Sequence, residues 1–490
     1  MTGPAKKGNR LTAAAWVFAA LLAMSSVLIL NGRPLFYYDT VGYVDQGQTA
    51  LEKLGLLERS DAGQAGADQV ESGAKIRTVD GSRSAFYSVL AGVANQIGLL
   101  EAILAVNVCA LVGAMWLLAR VVGRTTAPLR SRAALASLPL IVASLGALPF
   151  YAAYLMPDLM TPVMIISFAT VAAFHRDMRK SELVAAFLIG SLALVSHLSN
   201  LGIGVLMILG VALVSLVQSR VRWWLAPVIV GAVVAVGFGQ QAALRLAAEK
   251  ADGASVVIKP FITARLIEDG PGYDWLRDHC PDEAVPTCAL WAALQWSNDP
   301  YRLTASHIVF QKSERLGSFR LLAEADQKAV ADTQLAFFKT VLLDRPVSVM
   351  VALLGNTLQQ STMVAIDMTL PFDQIISQNV RVTGAISGPL SHGRLTADLS
   401  WMGDLTQGQG IVYVSSFAVV LTLLLLPGSM SPSMRAFAVA IVLGLLANAF
   451  VCGAISQPAS RYGARVIWLL PMLAALMLMV ASQRRDVAAR

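Results

Sequence analysis

Charged residues are scarce in this chain. Only 14% of its 490 residues are Asp, Glu, Lys or Arg, whereas 56% are hydrophobic. A soluble core cannot hold that much apolar surface, so the composition excludes an ordinary soluble domain and predicts a polytopic membrane protein. The sequence also lacks an internal repeat, a Walker motif and a glycine-rich nucleotide loop, which argues against chemistry driven by ATP.

Long apolar runs dominate the rest of the sequence. A helix needs roughly 17–25 mostly apolar residues to cross the hydrocarbon layer. We therefore predict an all-α membrane protein with about ten transmembrane helices, at 12–31, 100–122, 133–153, 159–174, 183–198, 200–218, 223–244, 411–427, 435–453 and 464–482.

The formal net charge of +7 comes from basic clusters between these runs. The clusters are Lys6, Lys7 and Arg10; Arg120, Arg124, Arg130 and Arg132; Arg176, Arg179 and Lys180; Arg220 and Arg222; Arg435; and Arg484 and Arg485. All of them obey the positive-inside rule when both termini are cytoplasmic. The basic residues thus predict a multi-pass protein of the bacterial inner (plasma) membrane, with the lipid bilayer and not nucleic acid as its partner.

This topology divides the chain into three parts. A transmembrane module, 1–244, contains a first outer loop at 32–99, with a helix at 40–57, a flexible loop at 60–82 and an interfacial helix at 84–97. A large periplasmic region follows at 245–410, and a second transmembrane module occupies 411–490. Residues 346–366 are apolar, but Asn356, Gln359 and Gln360 argue against a further span, which would also place Arg435 outside.

Only four cysteines are present. Cys109 and Cys452 fall inside apolar runs, where a thiol acts as a small apolar side chain. Cys280 and Cys288 lie in the outer region on either side of a proline-containing turn. An oxidising compartment favours a disulfide between them over two unrelated thiols, or over a metal site that would have only His279 as a further soft ligand.

Several residues that can carry chemistry fall on the predicted outer face. Asp39 and Tyr43 follow the first run, Asp158 lies in a tight turn after Pro157, His197 ends the fifth run, and the last run opens with Arg461, Tyr462 and Arg465. Ionisable groups at membrane depth are costly and are therefore functional candidates. Structural roles remain open for the same residues: Asp158 as a helix cap, His197 as a partner of a backbone carbonyl, and the two arginines as interface anchors.

This ordered set resembles the GT-C class of membrane glycosyltransferases, in particular the lipid A aminoarabinose transferases and the protein O-mannosyltransferases. The resemblance lies in Asp39-Thr-Val-Gly-Tyr43, Arg83-Ser-Ala-Phe-Tyr87, Pro157-Asp158, and Arg461-Tyr462 followed by Pro471. It covers 12–244 and 411–482, but not 245–410. In two places the chain departs from the class: Thr40 stands where many members carry a second acidic residue, and His197 stands near a lysine of some relatives.

The resemblance implies transfer of a sugar, with inversion, from a polyprenyl-phosphate donor to a lipid, glycan or protein acceptor. It implies Asp39 as the catalytic base. Substrate contacts are implied for Tyr43, Arg83, Tyr87, Asp158, His197, Arg461, Tyr462 and Arg465. The departure at Thr40 argues against a bound divalent metal, and no other cofactor is expected.

Elementary chemistry agrees with this reading. Sugar transfer from a lipid phosphate needs a base for the acceptor and cations for the departing phosphate. Since phosphate already leaves well, one carboxylate suffices, whereas a glycosidase needs two flanking carboxyl groups. Arginine suits the leaving group because its fork matches two phosphate oxygens.

Three other functions compete with this one. A transporter or flippase for a lipid-linked glycan is one, although the sequence shows no repeated halves, its spans carry few charges, and a large loop lies on one face only. A polymerase or ligase of the O-antigen type also has a large outer loop with arginines, but would not need Asp39. A non-catalytic membrane scaffold is the third.

Overall fold

The protein is built almost entirely of α-helices in the part of the chain that the structure describes. The structure is a computed structural model, and it describes residues 5–57, 78–128, 130–218, 222–280, 285–371, 373 and 390–488. The first helices are α1 (Ala5–Met24), α2 (Ser26–Asn31), α3 (Tyr38–Lys53), α4 (Ala85–Gln96), α5 (Ala102–Thr125), α6 (Arg132–Ala143), α7 (Leu148–Ala152), α8 (Met160–Phe174), α9 (Lys180–Val195), α10 (Leu198–Gln218) and α11 (Leu225–Asp252).

Further helices follow in the large central region. They are α12 (Phe261–Glu268), α13 (Pro271–His279), α14 (Thr287–Leu294), α15 (Ala305–Phe310), α16 (Glu324–Asp344) and α17 (Pro346–Thr362). The chain ends with α18 (Met402–Leu425), α19 (Pro432–Ala449), α20 (Ser460–Ile467) and α21 (Leu469–Ala488). Single turns of 3₁₀-helix lie at Pro157–Leu159, Pro300–Leu303, Phe319–Leu321 and Asp367–Thr369, and a π-helical segment at Phe450–Ser456 continues α19.

Seven helical segments among the described residues are long and apolar enough to cross a membrane, which confirms a polytopic all-α membrane protein. They are Ala102–Thr125, Pro157–Phe174, Leu198–Gln218, Leu225–Lys250, Met402–Leu425, Pro432–Ser456 and Ser460–Gln483. Each coincides with a predicted span.

The other three predicted spans are also helical, but each is interrupted or short. The run at 12–31 is divided into α1 and α2, and α9 has 16 residues. The run at 133–153 is divided into α6 and α7, with Pro139 inside α6. Helix α6 continues past Pro139 and ends at Ala143, so the division of this run lies after the proline.

One sequence prediction fails at the end of the first outer loop. Residues 60–82 were predicted to be a flexible loop, but Thr78–Asp80 (β1) pairs in parallel with Ser255–Val257 (β2); residues 58–77 lie outside the described part. The glycine- and serine-rich sequence around β1 gives no strand signal, and its partner strand lies far along the chain. The pairing joins the first outer loop to the start of the central region.

Helices α3 and α4 cross at closest approach through two glycines. A β-carbon on Gly47 would lie 1.9 Å from the carbonyl oxygen of Ser88, and one on Gly92 would lie 2.7 Å from the carbonyl carbon of Gly47. Only glycine permits the backbones to approach so closely. The crossing sets the start of α3, with Asp39, beside Arg83 at the start of α4.

Two hydrophobic cores hold the molecule together. The larger runs through the membrane helices, and the smaller lies within the central region around Trp275, Leu294, Ile308 and Phe337. Phe450 packs against both cores. The central region is therefore packed against the end of the span Pro432–Ser456.

Candidate functional site

A buried ion pair joins two membrane-spanning segments at one end of the bundle. Asp158 lies at the start of the span Pro157–Phe174, and Arg461 lies at the start of the span Ser460–Gln483. The guanidinium of Arg461 donates through Nε to Oδ1 of Asp158 at 3.1 Å and through Nη2 to Oδ2 at 2.9 Å. Asp158 has no exposed side-chain surface. Its carboxylate is thus a partner of Arg461.

Asp39 is the second carboxylate that contacts Arg461. Nη1 of Arg461 donates to Oδ2 of Asp39 at 3.1 Å, and Nη2 of Arg83 donates to Oδ1 of Asp39 at 3.0 Å. Asp39 keeps 33% of its side-chain surface exposed and Arg83 keeps 26%, whereas Arg461 keeps only 4%. Asp39 and Arg83 are therefore more accessible to a molecule arriving from outside the protein than Arg461 and Asp158 are.

Arg83 extends the cluster to the strand pair. Its Nη1 lies 3.6 Å from Oδ2 of Asp80, the last residue of β1. Asp80 also accepts from Nζ of Lys259, two residues beyond β2. Gln46 of α3 donates to the backbone carbonyl of Asp80 at 3.3 Å. These contacts tie Arg83 to the central region.

Arg465 forms the inner end of the cluster. Its Nη1 lies 3.5 Å from Oδ1 of Asp158, while Nη2 donates to Asn448 at 2.8 Å and to Ser199 at 3.0 Å. It has no exposed side-chain surface. Arg461 and Arg465 thus do share one surface of α20, as their spacing predicts, and both reach Asp158.

Cations and carboxylates alternate in a continuous series of ion pairs. In order from the central region inward, the series contains Lys259, Asp80, Arg83, Asp39, Arg461, Asp158 and Arg465. We name it the charge chain. It has four cations and three carboxylates, so one positive charge is in excess along it. Alternation lets the carboxylates offset most of the burial cost of the inner cations.

Aromatic rings surround the central arginine. The carbon Cζ of Arg461 lies 5.0 Å from the ring centre of Tyr37, 5.6 Å from that of Tyr462 and 5.9 Å from that of Tyr154. Such cation–π contacts stabilise a guanidinium that has little access to water. Tyr462 also lies 5.0 Å from Cζ of Arg465.

The remaining predicted residues lie around the charge chain. Tyr43 and Tyr87 are buried with their rings 5.3 Å apart, and Tyr87 accepts a hydrogen bond of 3.2 Å from Asn107. His197 precedes the span Leu198–Gln218, and its Nδ1 accepts from the backbone amide of Ser199 at 3.1 Å. The Nδ1 of His197 therefore bonds a backbone amide, whereas the structural role considered from the sequence was a bond to a backbone carbonyl. Ser199 in turn links His197 to Arg465.

The neighbouring cations set the protonation of the outer carboxylates. Burial alone raises the pKa of Asp39, but Arg461 and Arg83 outweigh it and hold that pKa below its ordinary value. For Asp80, burial again raises the pKa, and Lys259 reverses the shift, so that the net pKa is lowered. Both groups are therefore anions at neutral pH.

Thr40, the residue that departs from the GT-C pattern, has a structural part. Its hydroxyl accepts from the amide of Tyr37 at 3.0 Å and donates to the carbonyl of Leu155 at 3.3 Å. It lies directly after Asp39 in the first turn of α3, closes the start of the helix through the amide of Tyr37, and ties it to the turn ahead of Asp158. Among the described residues, no group of three His, Cys, Asp or Glu side chains is arranged to hold a metal ion.

The structure confirms the disulfide between Cys280 and Cys288, whose Cα atoms are 5.5 Å apart. It lies in the central region and closes a short loop. Neither residue takes part in the charge chain.

Sequence reasoning missed several members of the site, notably Asp80, Lys259, Ser199 and Asn448. Asp80 falls in a polar segment, where one charge does not stand out from its neighbours, and Lys259 lies far from the apolar runs that drew attention to the other charges. The signal available for Asn448 was a polar residue late in an apolar run, since such groups need a partner in the membrane.

Comparison with known proteins adds no relative. No protein-family model matches the chain, and neither a curated protein nor a solved structure matches it.

Proposed function

We propose that the protein is a membrane glycosyltransferase of the GT-C type, which moves a sugar from a polyprenyl-phosphate donor to a lipid, glycan or protein acceptor. The observation that supports this most is the placement of Asp39. It is a part-exposed carboxylate at the mouth of a membrane bundle, and it lies between two guanidinium groups that can receive a phosphate.

In this proposal Arg83 meets the donor phosphate first. It is the more exposed of the two arginines that contact Asp39, and its buried Nε has no hydrogen-bond partner among the described residues. The excess positive charge of the charge chain favours an anion at this point. Arg461 binds the phosphate next, when a phosphate oxygen replaces Asp39 as the partner of its Nη1. The wholly buried Arg465 meanwhile neutralises the charge of Asp158.

Asp39 then accepts the proton of the acceptor hydroxyl. The hydroxyl oxygen forms a bond to the anomeric carbon on the face opposite the phosphate, and the polyprenyl phosphate leaves with the electron pair of the broken bond. Because Arg461 and Arg83 lower the pKa of Asp39, its carboxylate is ionised but weakly basic at rest. When the donor phosphate binds to these two arginines, the basicity of Asp39 rises. Asp39 therefore becomes an effective base when the donor is present.

The proposal places this chemistry on the periplasmic face of the bacterial inner membrane, in a chain of ten spans with both termini in the cytoplasm. The supporting observation is that the charge chain and the described basic clusters lie at opposite ends of the spans. Arg124, for instance, ends α5 and pairs with Glu182 at the start of α9. The positive-inside rule assigns that end to the cytoplasm, and 32–99 and 245–410 then face outward.

A test compares lipid and glycan profiles of a deletion strain complemented with the parent, with Asp39→Asn or with Asp45→Asn. Asp45 lies on the same helix but is exposed, so it controls for the loss of a carboxylate. We expect Asp39→Asn to leave the deletion profile unchanged and Asp45→Asn to restore the parental profile. Restoration by Asp39→Asn, with the protein present at the parental level, would contradict the proposal.

The same profiles separate the rival functions. A transporter or an O-antigen-type ligase does not require a base at Asp39. If the protein is either of these, Asp39→Asn should restore the parental profile. A transferase without its base accumulates the lipid-linked sugar itself.

A further inference from the structure

Helix α17 presents an apolar stripe that no described part of the chain covers. Val347, Met350, Val351, Leu354 and Leu358 are all exposed, and Val347 and Leu358 keep 74% and 69% of their surface. Their spacing of three or four residues places them on one face of the helix. A stripe of this kind indicates a partner for the helix.

The opposite face of α17 packs on the ends of two membrane spans and, through Val349 and Leu353, on the core of the central region. Its buried side chains are Val349, Leu353, Asn356 and Gln360. A β-carbon on Gly453, at the end of the span Pro432–Ser456, would lie 2.6 Å from the carbonyl oxygen of Asn356. One on Gly463, at the start of the span Ser460–Gln483, would lie 2.0 Å from the carbonyl oxygen of Met363. Close backbone contact at small residues is how helices pack within membranes.

The polar side chains of α17 are uncharged, and two of its hydroxyls are hydrogen-bonded within the helix. Residues 346–366 contain no charged side chain, and charges resume at Arg345 and Asp367 on either side. The hydroxyls of Thr357 and Ser361 donate to the carbonyls of Leu353 and Thr357, each four residues earlier, at 2.7 and 2.8 Å. Such self-contained hydrogen bonds are the usual arrangement for hydroxyls in membrane helices.

We propose that α17 lies in the lipid of the leaflet next to the charge chain, with its exposed apolar stripe in contact with acyl chains. With 17 residues it is shorter than each of the membrane-spanning segments, which have 18 to 26 residues, and it does not need to cross the bilayer. An amphipathic helix that binds at the membrane boundary with one apolar face requires only part of the hydrocarbon depth. The lipid is favoured over a protein partner because α17 packs directly on the ends of two membrane spans.

This placement has a consequence for the site. Gln360, on the buried face of α17, donates to the carbonyl of Ala459 and accepts from its amide, each at 2.9 Å. Ala459 is two residues before Arg461. The helix that rests in lipid therefore also holds the segment that presents Arg461, whatever reaction the site performs.

Spin labelling tests the proposal without reference to any activity. Cysteine at Leu354 carries a nitroxide in a Cys109→Ala background, with the protein in vesicles of phosphatidylglycerol and phosphatidylethanolamine. Collisions with oxygen, which concentrates in lipid, are compared with collisions with a water-soluble nickel chelate. A label at Val414, exposed on the span Met402–Leu425, serves as the lipid control, and one at the exposed Glu314 serves as the water control.

We expect the label at Leu354 to resemble the one at Val414, with oxygen collisions exceeding those of the chelate. A label that resembles the one at Glu314 would place the stripe in water and overturn the proposal. A label shielded from both reagents would show that protein, such as a second copy of the chain, covers the stripe, and would overturn it as well.

Discussion

Arg461 donates two hydrogen bonds to the carboxylate of Asp158, although the two residues are 303 positions apart in the sequence. The pair fastens the start of the last span to the start of the span Pro157–Phe174. Because the third nitrogen of the same guanidinium holds Asp39, one side chain joins the fold of the bundle to the candidate site.

Removing Arg461 is expected to destabilise the protein strongly. Arg461→Met leaves Asp158 buried without its main partner, and breaking a buried pair in this way typically costs about 3–5 kcal/mol. Arg461→Lys should cost less, because the charge remains while the fork is lost. Thermal unfolding in detergent measures both changes. The control is Arg315→Met, an exposed arginine in the central region; equal effects of the two Met variants would refute a structural part for the pair.

Gln360 is expected to stabilise the segment before Arg461. Gln360→Leu removes two hydrogen bonds to Ala459, and each contributes about 1 kcal/mol. We expect a loss of roughly 2 kcal/mol in the free energy of unfolding, whereas Gln359→Leu, at the exposed neighbouring position, should have little effect. Unfolding curves of the two variants that superimpose would show that the contact is not needed.

Lys259 is expected to act on the site through Arg83. It neutralises Asp80 and so leaves Arg83 free to turn toward Asp39. A hydrogen bond to a charged group contributes about 1.5 kcal/mol, so Lys259→Met should lower the sugar-transfer rate roughly tenfold. Lys259→Arg should restore most of that rate, and Lys250→Met, at the exposed end of α11, should not change it. A rate for Lys259→Met equal to that of Lys250→Met would exclude this positioning role.

The outer carboxylates predict acid sensitivity. The folded pKa values of Asp39 and Asp80 are lowered, so their contribution to stability is fully present above the unfolded value of about 3.9 and is lost as pH falls through the lower folded value. The melting temperature should therefore change little from these groups between pH 7 and pH 5 and fall below about pH 4. Asp80→Asn should show a smaller drop on acidification than the parent. An equal drop in both would contradict the assignment for Asp80.

The sequence was sufficient for much of the fold because its signals are local. Apolar runs and basic clusters identified the seven long spans, and the two cysteines in a short outer segment indicated the disulfide. The division of 133–153 into α6 and α7 was not predicted, since the run is continuously apolar. The strand Thr78–Asp80 could not be seen, since a three-residue strand depends on a partner that only the tertiary structure supplies.

The site was predictable in part for the same reason. Asp39, Asp158, Arg461 and Arg465 stood out as charges at the ends of apolar runs, and the structure brings them together. Which charge binds which could not be read from spacing. That Arg461 would hold two carboxylates, and that Lys259 would complete the charge chain, depends on the packing of α3, α4, α20 and the strand pair.

The most direct measurement follows the donor itself. Lipids extracted from the deletion strain, which should contain the accumulated donor, are supplied with acceptor-containing membranes to purified protein in nanodiscs. Mass spectrometry then follows the conversion of lipid-linked sugar to free polyprenyl phosphate. The account predicts that the parent releases polyprenyl phosphate, and that folded Asp39→Asn does so about 10²–10⁴-fold more slowly, the usual loss for a positioned base. Release by Asp39→Asn at the parental rate would contradict it.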